Sequence, residues 1–292
     1  MIGAACYSTK AIFIKLAFHY QVDGITMLTF RMIFSLPFYL AVLFYINRSE
    51  HKPVIAKKDY VNLFIAGLFG YYLASFFDFY GLQFISASLE RLILFVYPTM
   101  TLLFGKLLYN RKIQRTQIIA VIITYIGVGI AFRSDFGYTS NTNLIKGSVL
   151  IFIAALTYAF YLSKSDVTIK SMGSIRFTCY SLILSCIAVF IHYSIAHKFD
   201  LFSYPWPVYV YAVLIAVIAT VIPTFLMAEG IKHIGSNNMS ILASVGPVTT
   251  IILSTLILKE PFTDMHLYGT ILVLSGVILI GRATGKKTAQ NV

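Results

Sequence analysis

The sequence predicts an all-α membrane protein of ten transmembrane helices arranged as two inverted five-helix repeats. Three observations predict it. Hydrophobic residues make up 58% of the chain, charged residues only 12%, and the mean hydropathy is +0.80, which leaves too little polar surface for a water-soluble protein of 292 residues. Apolar runs of the ~17–25 residues that a helix needs to cross hydrocarbon recur along the whole length. Finally, the chain overlays on itself when shifted by half its length. A β-barrel would need short alternating segments, whereas runs such as Ile118 to Ile130 are apolar on every side.

In order, the predicted spans are Ile2–His19, Ile25–Ile46, Tyr60–Tyr80, Ala87–Leu108, Ile113–Phe132, Gly147–Ser165, Arg176–Ala196, Val208–Ile231, Asn238–Leu258 and Met265–Gly281. The first is read as a retained helix and not a signal peptide, because Lys10 and Lys15 interrupt it and no small-x-small cleavage pattern follows. Cys6, Cys179 and Cys186 all fall within spans, where small apolar packing is the expected role.

Charge gives the orientation. With a cytoplasmic N-terminus, the inner side holds Arg48, Lys52, Lys57, Lys58, Lys106, Arg111, Lys112, Arg115, Lys164, Lys170, Arg176, Lys232, Arg282, Lys286 and Lys287. The outer side holds only Arg133, Lys146, Lys198 and Lys259. The positive-inside rule therefore puts both termini in the cytoplasm. A nucleic-acid partner would want the net charge of +12 gathered on one folded face with aromatics, and these cations are spread over many short loops.

FISASLERLILFVYPTMTLLFGKLLYN (Phe84 to Asn110) falls on HIGSNNMSILASVGPVTTIILSTLILK (His233 to Lys259) at a shift of 149 residues. The same shift superposes Gly81 on Gly230, Pro98 on Pro247, and Gly127 and Val128 on Gly276 and Val277. The predicted organisation is a first repeat over 1–132, a polar linker over 133–146, a second repeat over 147–282 and a cytoplasmic tail over 283–292. Five helices per half force the second copy to enter the membrane from the opposite side, the architecture of many secondary transporters.

The SASLERLILFVYPT run, the half-length repeat and LILKEPFT before a Gly-bearing last helix resemble the EamA family of the drug/metabolite transporters. The resemblance implies a secondary transporter of the inner (plasma) membrane that moves a small organic metabolite or drug-like solute by alternating access. It also implies proton-coupled export; uptake or exchange on the same scaffold is the alternative. Family members carry an acidic residue after each half's fourth helix, and this chain has Glu260 in the second half but Arg111 in the first. Pairing Tyr7 with Tyr158 leaves the first helix a few residues shorter than its counterpart, which points to a start upstream of Met1.

Ionisable residues inside spans are costly, at least ~2.5–3.5 kcal/mol each at the bilayer centre on insertion scales, so they mark solute or ion pathways. Asp78 lies six residues before the turn near Phe84, and Glu90 and Arg91 lie six and seven after it, placing all three at one depth. With Arg31, Lys10 and Lys15 they form a predicted polar layer that attracts a carboxylate or other anionic group and exchanges protons through Glu90 or Asp78. A structural alternative makes Asp78 and Arg91 an ion pair across the hairpin, with Lys15 snorkelling and Arg31 topping its helix.

Pro98 and Pro247 are the matched helix interruptions expected at a transporter's gating or binding site. Tyr97, Ser240 and Ser244 complete the candidate solute site, with Ser88, Thr99 and Thr249 as further cavity-wall candidates. Glu229 and Lys232 are read as a local pair. No HExxH, CxxC or GxxxxGK[ST] pattern occurs, so no metal, cofactor or ATP-driven mechanism is implied. An intramembrane enzyme is the minor alternative, and it needs Ser and His to converge, which the sequence gives no sign of.

Overall fold

The structure, a computed structural model, describes residues 2–48, 57–110, 112–136, 141–197, 200–227 and 245–290. Among these residues the chain is helical throughout, with no strand. Eight segments are long and apolar enough to cross a membrane: Gly24–Asn47, Asp59–Gly81, Ala87–Tyr109, Arg115–Ser134, Thr142–Ser165, Ser174–Ala196, Trp206–Met227 and Asp264–Arg282. Val245–Leu258 is a shorter apolar helix.

The N-terminal run is two helices and not one: α1 (Ile2–Ser8) and α2 (Lys10–Phe18). The hydroxyls of Ser8 and Thr9 bond back to the carbonyls of Ala4 (2.7 Å) and Cys6 (2.7 Å), competing with the helical ladder where it breaks. α3 (Gly24–Asn47) starts at Asp23, whose carboxylate accepts from the Thr26 N–H at 2.9 Å. α4 (Lys57–Ala66) and α5 (Ala74–Gly81) flank a π-helical stretch, Gly67–Leu73.

After a turn come α6 (Ala87–Leu94) and α7 (Tyr97–Tyr109). The predicted proline kink is a two-residue interruption: the helix ends at Leu94, tightens through Phe95 and Val96, and restarts with Pro98 in its first turn, where no N–H is needed. α8 (Arg115–Ser134) and α9 (Asn141–Met172) follow, α9 taking in Asn141–Lys146 ahead of the predicted start at Gly147. Next are α10 (Ser174–Ala196), then α11 (Trp206–Ala216) with a π-helical stretch at Val217–Val221. α12 (Val245–Leu253) continues into a π-helical stretch at Ser254–Leu258, and α13 (Asp264–Gln290) ends the chain.

Several features recur at the spacing of 149. Asn110, closing α7, and Lys259, closing the segment after α12, share a left-handed conformation with φ of 54° and 55°. The π-helical stretches Gly67–Leu73 and Val217–Val221 overlap at that shift, as do the starts of α8 and α13 at Arg115 and Asp264. α8 and α13 pack against each other through reciprocal contacts. A Cβ on Gly127 would lie 2.7 Å from the Gly269 carbonyl oxygen, and one on Gly276 would lie 2.7 Å from that of Ala120. The shift exchanges these two contacts, since it maps Gly127 on Gly276 and Ala120 on Gly269.

One end of the bundle collects the connections around 19–23, 82–86, 134–136, 200–205 and 259–263, with His197 beside them. There Asp23 meets His197 at 3.0 Å, a Cβ on Gly24 would touch Gln83, and Ser86 donates to Asp135 at 2.7 Å. Arg133 and Lys259 flank these connections, and Lys146 sits 4.2 Å over the Phe84 ring. Three of the four cations expected on the sparse side thus share this end. The fourth, Lys198, lies outside the described residues. The core beneath it packs Leu89, Leu92 and Ile93 of α6 against Ala131, Ile151 and Val273 of α8, α9 and α13.

Candidate functional site

Four of the predicted residues come together. Lys10, at the first position of α2, pairs with Asp78 of α5 through Nζ and Oδ2, and the same Nζ lies 3.5 Å from Glu90 Oε1 of α6. Arg91 turns to α1, where its Nη2 donates to Ser8 Oγ at 2.9 Å. Both cations lie over the Tyr7 ring, at 5.5 Å for Lys10 and 5.1 Å for Arg91. All four charged residues are buried, Glu90 completely at 0% exposure.

The predicted pairing of Asp78 with Arg91 across the hairpin is not the one formed. The break at Thr9 places Lys10 at a helix start beside α5, so Lys10 takes Asp78. Neighbours on a helix point about 100° apart, so Arg91 cannot follow Glu90 and reaches Ser8 instead. Ser8 and Tyr7 are the site residues that sequence reasoning missed, and the paired hydroxyls Ser8 and Thr9 in mid-run were the signal. α12 closes this corner: Thr250 Oγ1 donates to the Ser8 carbonyl at 3.1 Å, and a Cβ on Gly246 would sit 3.2 Å from Arg91 Nη2. A side chain at 246 would press on the guanidinium and on the Ser8 hydroxyl, also 3.2 Å away.

One lysine between two carboxylates can neutralise one of them. Among the described residues, neither Glu90 oxygen has a hydrogen-bond donor, Asp78 Oδ1 has none, and Arg91 Nε has no acceptor. Such a buried and incompletely satisfied set is costly as a structural element and useful as a binding one.

The other predicted residues are placed less centrally. Arg31 is buried on α3, where it donates to Ser75 Oγ at 3.1 Å and lies 5.6 Å over Phe79, with no acceptor for its Nε among the described residues. Both contacts are with α5, the helix that carries Asp78, and no contact with Glu90 or Arg91 is seen among the described residues. Lys15 is half-buried, with Glu260, Asp135 and Glu90 within electrostatic range. Tyr97 starts α7 edge-on to Tyr158 at 5.2 Å, and Tyr71 and Tyr161 continue that aromatic wall with hydroxyls 3.1 Å apart. Thr99 and Thr249 bond back to their own helices, to Val96 and Val245. Pro247 is buried near the start of α12. Ser240, Ser244, Glu229, Lys232, Gly230 and Arg111 lie outside the described residues.

Ser and His do converge, against expectation. His266 Nδ1 lies 3.2 Å from Ser134 Oγ and its Nε2 lies 2.8 Å from Asp135 Oδ1. All three are buried, and Ser134 is also bonded to Thr263, so the group links α8 to α13 and presents no open nucleophile.

Sequence comparison supplies the context. The family model for the EamA-like transporter family matches residues 1–133 and 145–282. The uncharacterized transporter YcbK of Bacillus subtilis is 30% identical over 98% of this chain and 94% of its own length. An uncharacterized transporter of Methanothermobacter thermautotrophicus is 25% identical over 90% of this chain and 76% of its own. A crystal structure of another protein superposes with a TM-score of 0.67 at 12% identity, covering 95% of this chain and 93% of that one, and so shares the fold. With apolar helices along its length and a buried polar cluster among them, the chain belongs to the EamA-like transporter family and is a membrane transporter.

Proposed function

We propose that this chain is a secondary active transporter of the inner (plasma) membrane. Two inverted five-helix halves, with both termini cytoplasmic, rock around the Lys10, Asp78, Glu90 and Arg91 cluster to move a small organic solute. Proton-coupled export is the preferred mode. The reciprocal packing of α8 on α13 and the matched left-handed residues Asn110 and Lys259 support the paired halves.

The observation that carries the reading is the fully buried Glu90, 3.5 Å from a lysine already committed to Asp78. A proton on Glu90, or a cationic group of the solute, would complete its charge balance, while Arg91 offers a donor to an anionic group. Exchange of proton for solute at one carboxylate is the simplest coupling such a site allows. The tyrosines at 7, 97 and 158 give that site an aromatic side.

A thermal-shift panel of amino acids, nucleosides, organic anions and dyes on the purified protein would find a ligand, and counterflow in proteoliposomes with and without a pH gradient would follow it. Glu90→Gln is expected to abolish gradient-driven movement, and Arg91→Ala to abolish all movement, with membrane insertion intact in both. Unchanged transport in either variant removes that residue from the mechanism. Counterflow insensitive to the gradient would favour a plain exchanger, and group transfer without vectorial movement would favour an enzyme.

A further inference from the structure

α6 is short, eight residues from Ala87 to Leu94, and it carries both Glu90 and Arg91. At its C-terminal end the chain breaks at Phe95 and Val96. Its N-terminal end is gripped by side chains from far along the sequence. Glu260 Oε1 accepts from the Ala87 N–H at 2.8 Å, and Oε2 accepts from the Ser88 N–H and hydroxyl at 3.3 Å each. Ser88 Oγ is 2.7 Å from Ser254 Oγ. Asp135 accepts from the N-cap residue Ser86 at 2.7 Å and is itself fixed by His266 at 2.8 Å.

A carboxylate on free N–H groups at a helix N-terminus satisfies orphan donors and complements the helix dipole. Here the cap comes from 172 to 173 residues away, from the segment that the left-handed Lys259 turns back toward α6. The position one repeat earlier is Arg111, a cation with no lone pair to offer an N–H. The repeat-related position therefore cannot supply the same carboxylate grip.

We propose that Glu260 is a positioning residue of the transport cycle. It latches α6, as a lever hinged at Phe95–Val96, in the setting that closes this end over Glu90 and Arg91, and solute passes through this end only when the latch releases. The inference rests on the alternating-access reading above.

The test uses the full chain in right-side-out and inside-out vesicles. With Cys179 and Cys186 replaced by alanine, Cys6 on α1 is the one thiol, and it lies on the far side of the charged cluster from this end. A separate Phe202→Cys variant marks which face the latched end occupies, and a membrane-impermeant maleimide reads accessibility. Glu260→Ala is expected to speed Cys6 labelling from the latched end about tenfold, the population change that ~1.4 kcal/mol produces. Labelling from the opposite face should slow. Glu260→Gln, which keeps the volume and one acceptor oxygen, should fall between alanine and wild type and serves if the alanine variant does not fold. Glu260→Asp should restore most of the wild-type rate.

Wild-type labelling from the latched end in both the Ala and Gln variants overturns the latch while leaving the carrier reading in place. Labelling of Cys6 from one face alone, at one rate in every variant including wild type, overturns alternating access and the latch with it.

Discussion

Lys10 is the residue that makes the charged cluster tolerable. It faces two buried carboxylates, so removing its ammonium strands both, whereas removing one carboxylate still leaves it a partner. Breaking a buried ion pair by deleting one side costs ~3–5 kcal/mol. Lys10→Met is therefore expected to lower the thermal midpoint of the detergent-purified protein sharply. Asp78→Asn should cost less, because Glu90 at 3.5 Å inherits the lysine. Glu90→Gln should cost least, since among the described residues neither oxygen holds a hydrogen bond that the amide would lose. Equal losses in all three would mean that the lysine is not shared. Tyr7 and Ser8 matter to the same balance, because they give Arg91 a ring face and an acceptor in place of a carboxylate.

Among the elements, the α8 and α13 pair offers a clean internal control. A Cβ on Gly276 would fall 2.1 Å from Thr124 Oγ1, and one on Gly127 would meet the Gly269 backbone, whereas Gly129 on the same helix has nothing within 4 Å. Overpacking of this kind costs ~1–3 kcal/mol. Gly276→Ala and Gly127→Ala should each lower thermal stability, and Gly129→Ala should leave it unchanged or raise it slightly through helix propensity. The α6–α7 break makes a functional counterpart. Pro98→Ala restores the missing N–H donor, and if the break serves movement the variant should keep its thermal midpoint and lose transport rate. Transport at the wild-type rate would make Pro98 a packing residue.

Across the whole molecule, the connections near 82–86, 134–136, 200–205 and 259–263 share one end, and α6 with α7 carries the chain from that end to the other. Cysteines placed singly at Phe202 and Lys112 should label from opposite faces of the membrane, with Lys112 on the cytoplasmic side where basic residues concentrate. Labelling of both from one face would refute the arrangement of spans. Such an outcome would also remove the basis for two halves of opposite orientation.

The sequence by itself determined the solvent, the family, the order of the apolar helices and the common level of Asp78, Glu90 and Arg91 on either side of their turn, because hydropathy and a rise of 1.5 Å per residue act along the chain; that Lys10, and not Lys15, meets them came from the fold. It also placed the helix interruption at Pro98 to within a few residues. Partner choice was decided only by the fold. Lys10 taking Asp78, Arg91 turning to Ser8, and Glu260 reaching Ala87 depend on which helix faces which across many residues of sequence. Periodicity carries no information about that, because apolar helices in lipid look alike on all sides. The packing of small residues, together with the few polar groups that must find one another in a medium without water, sets those pairings.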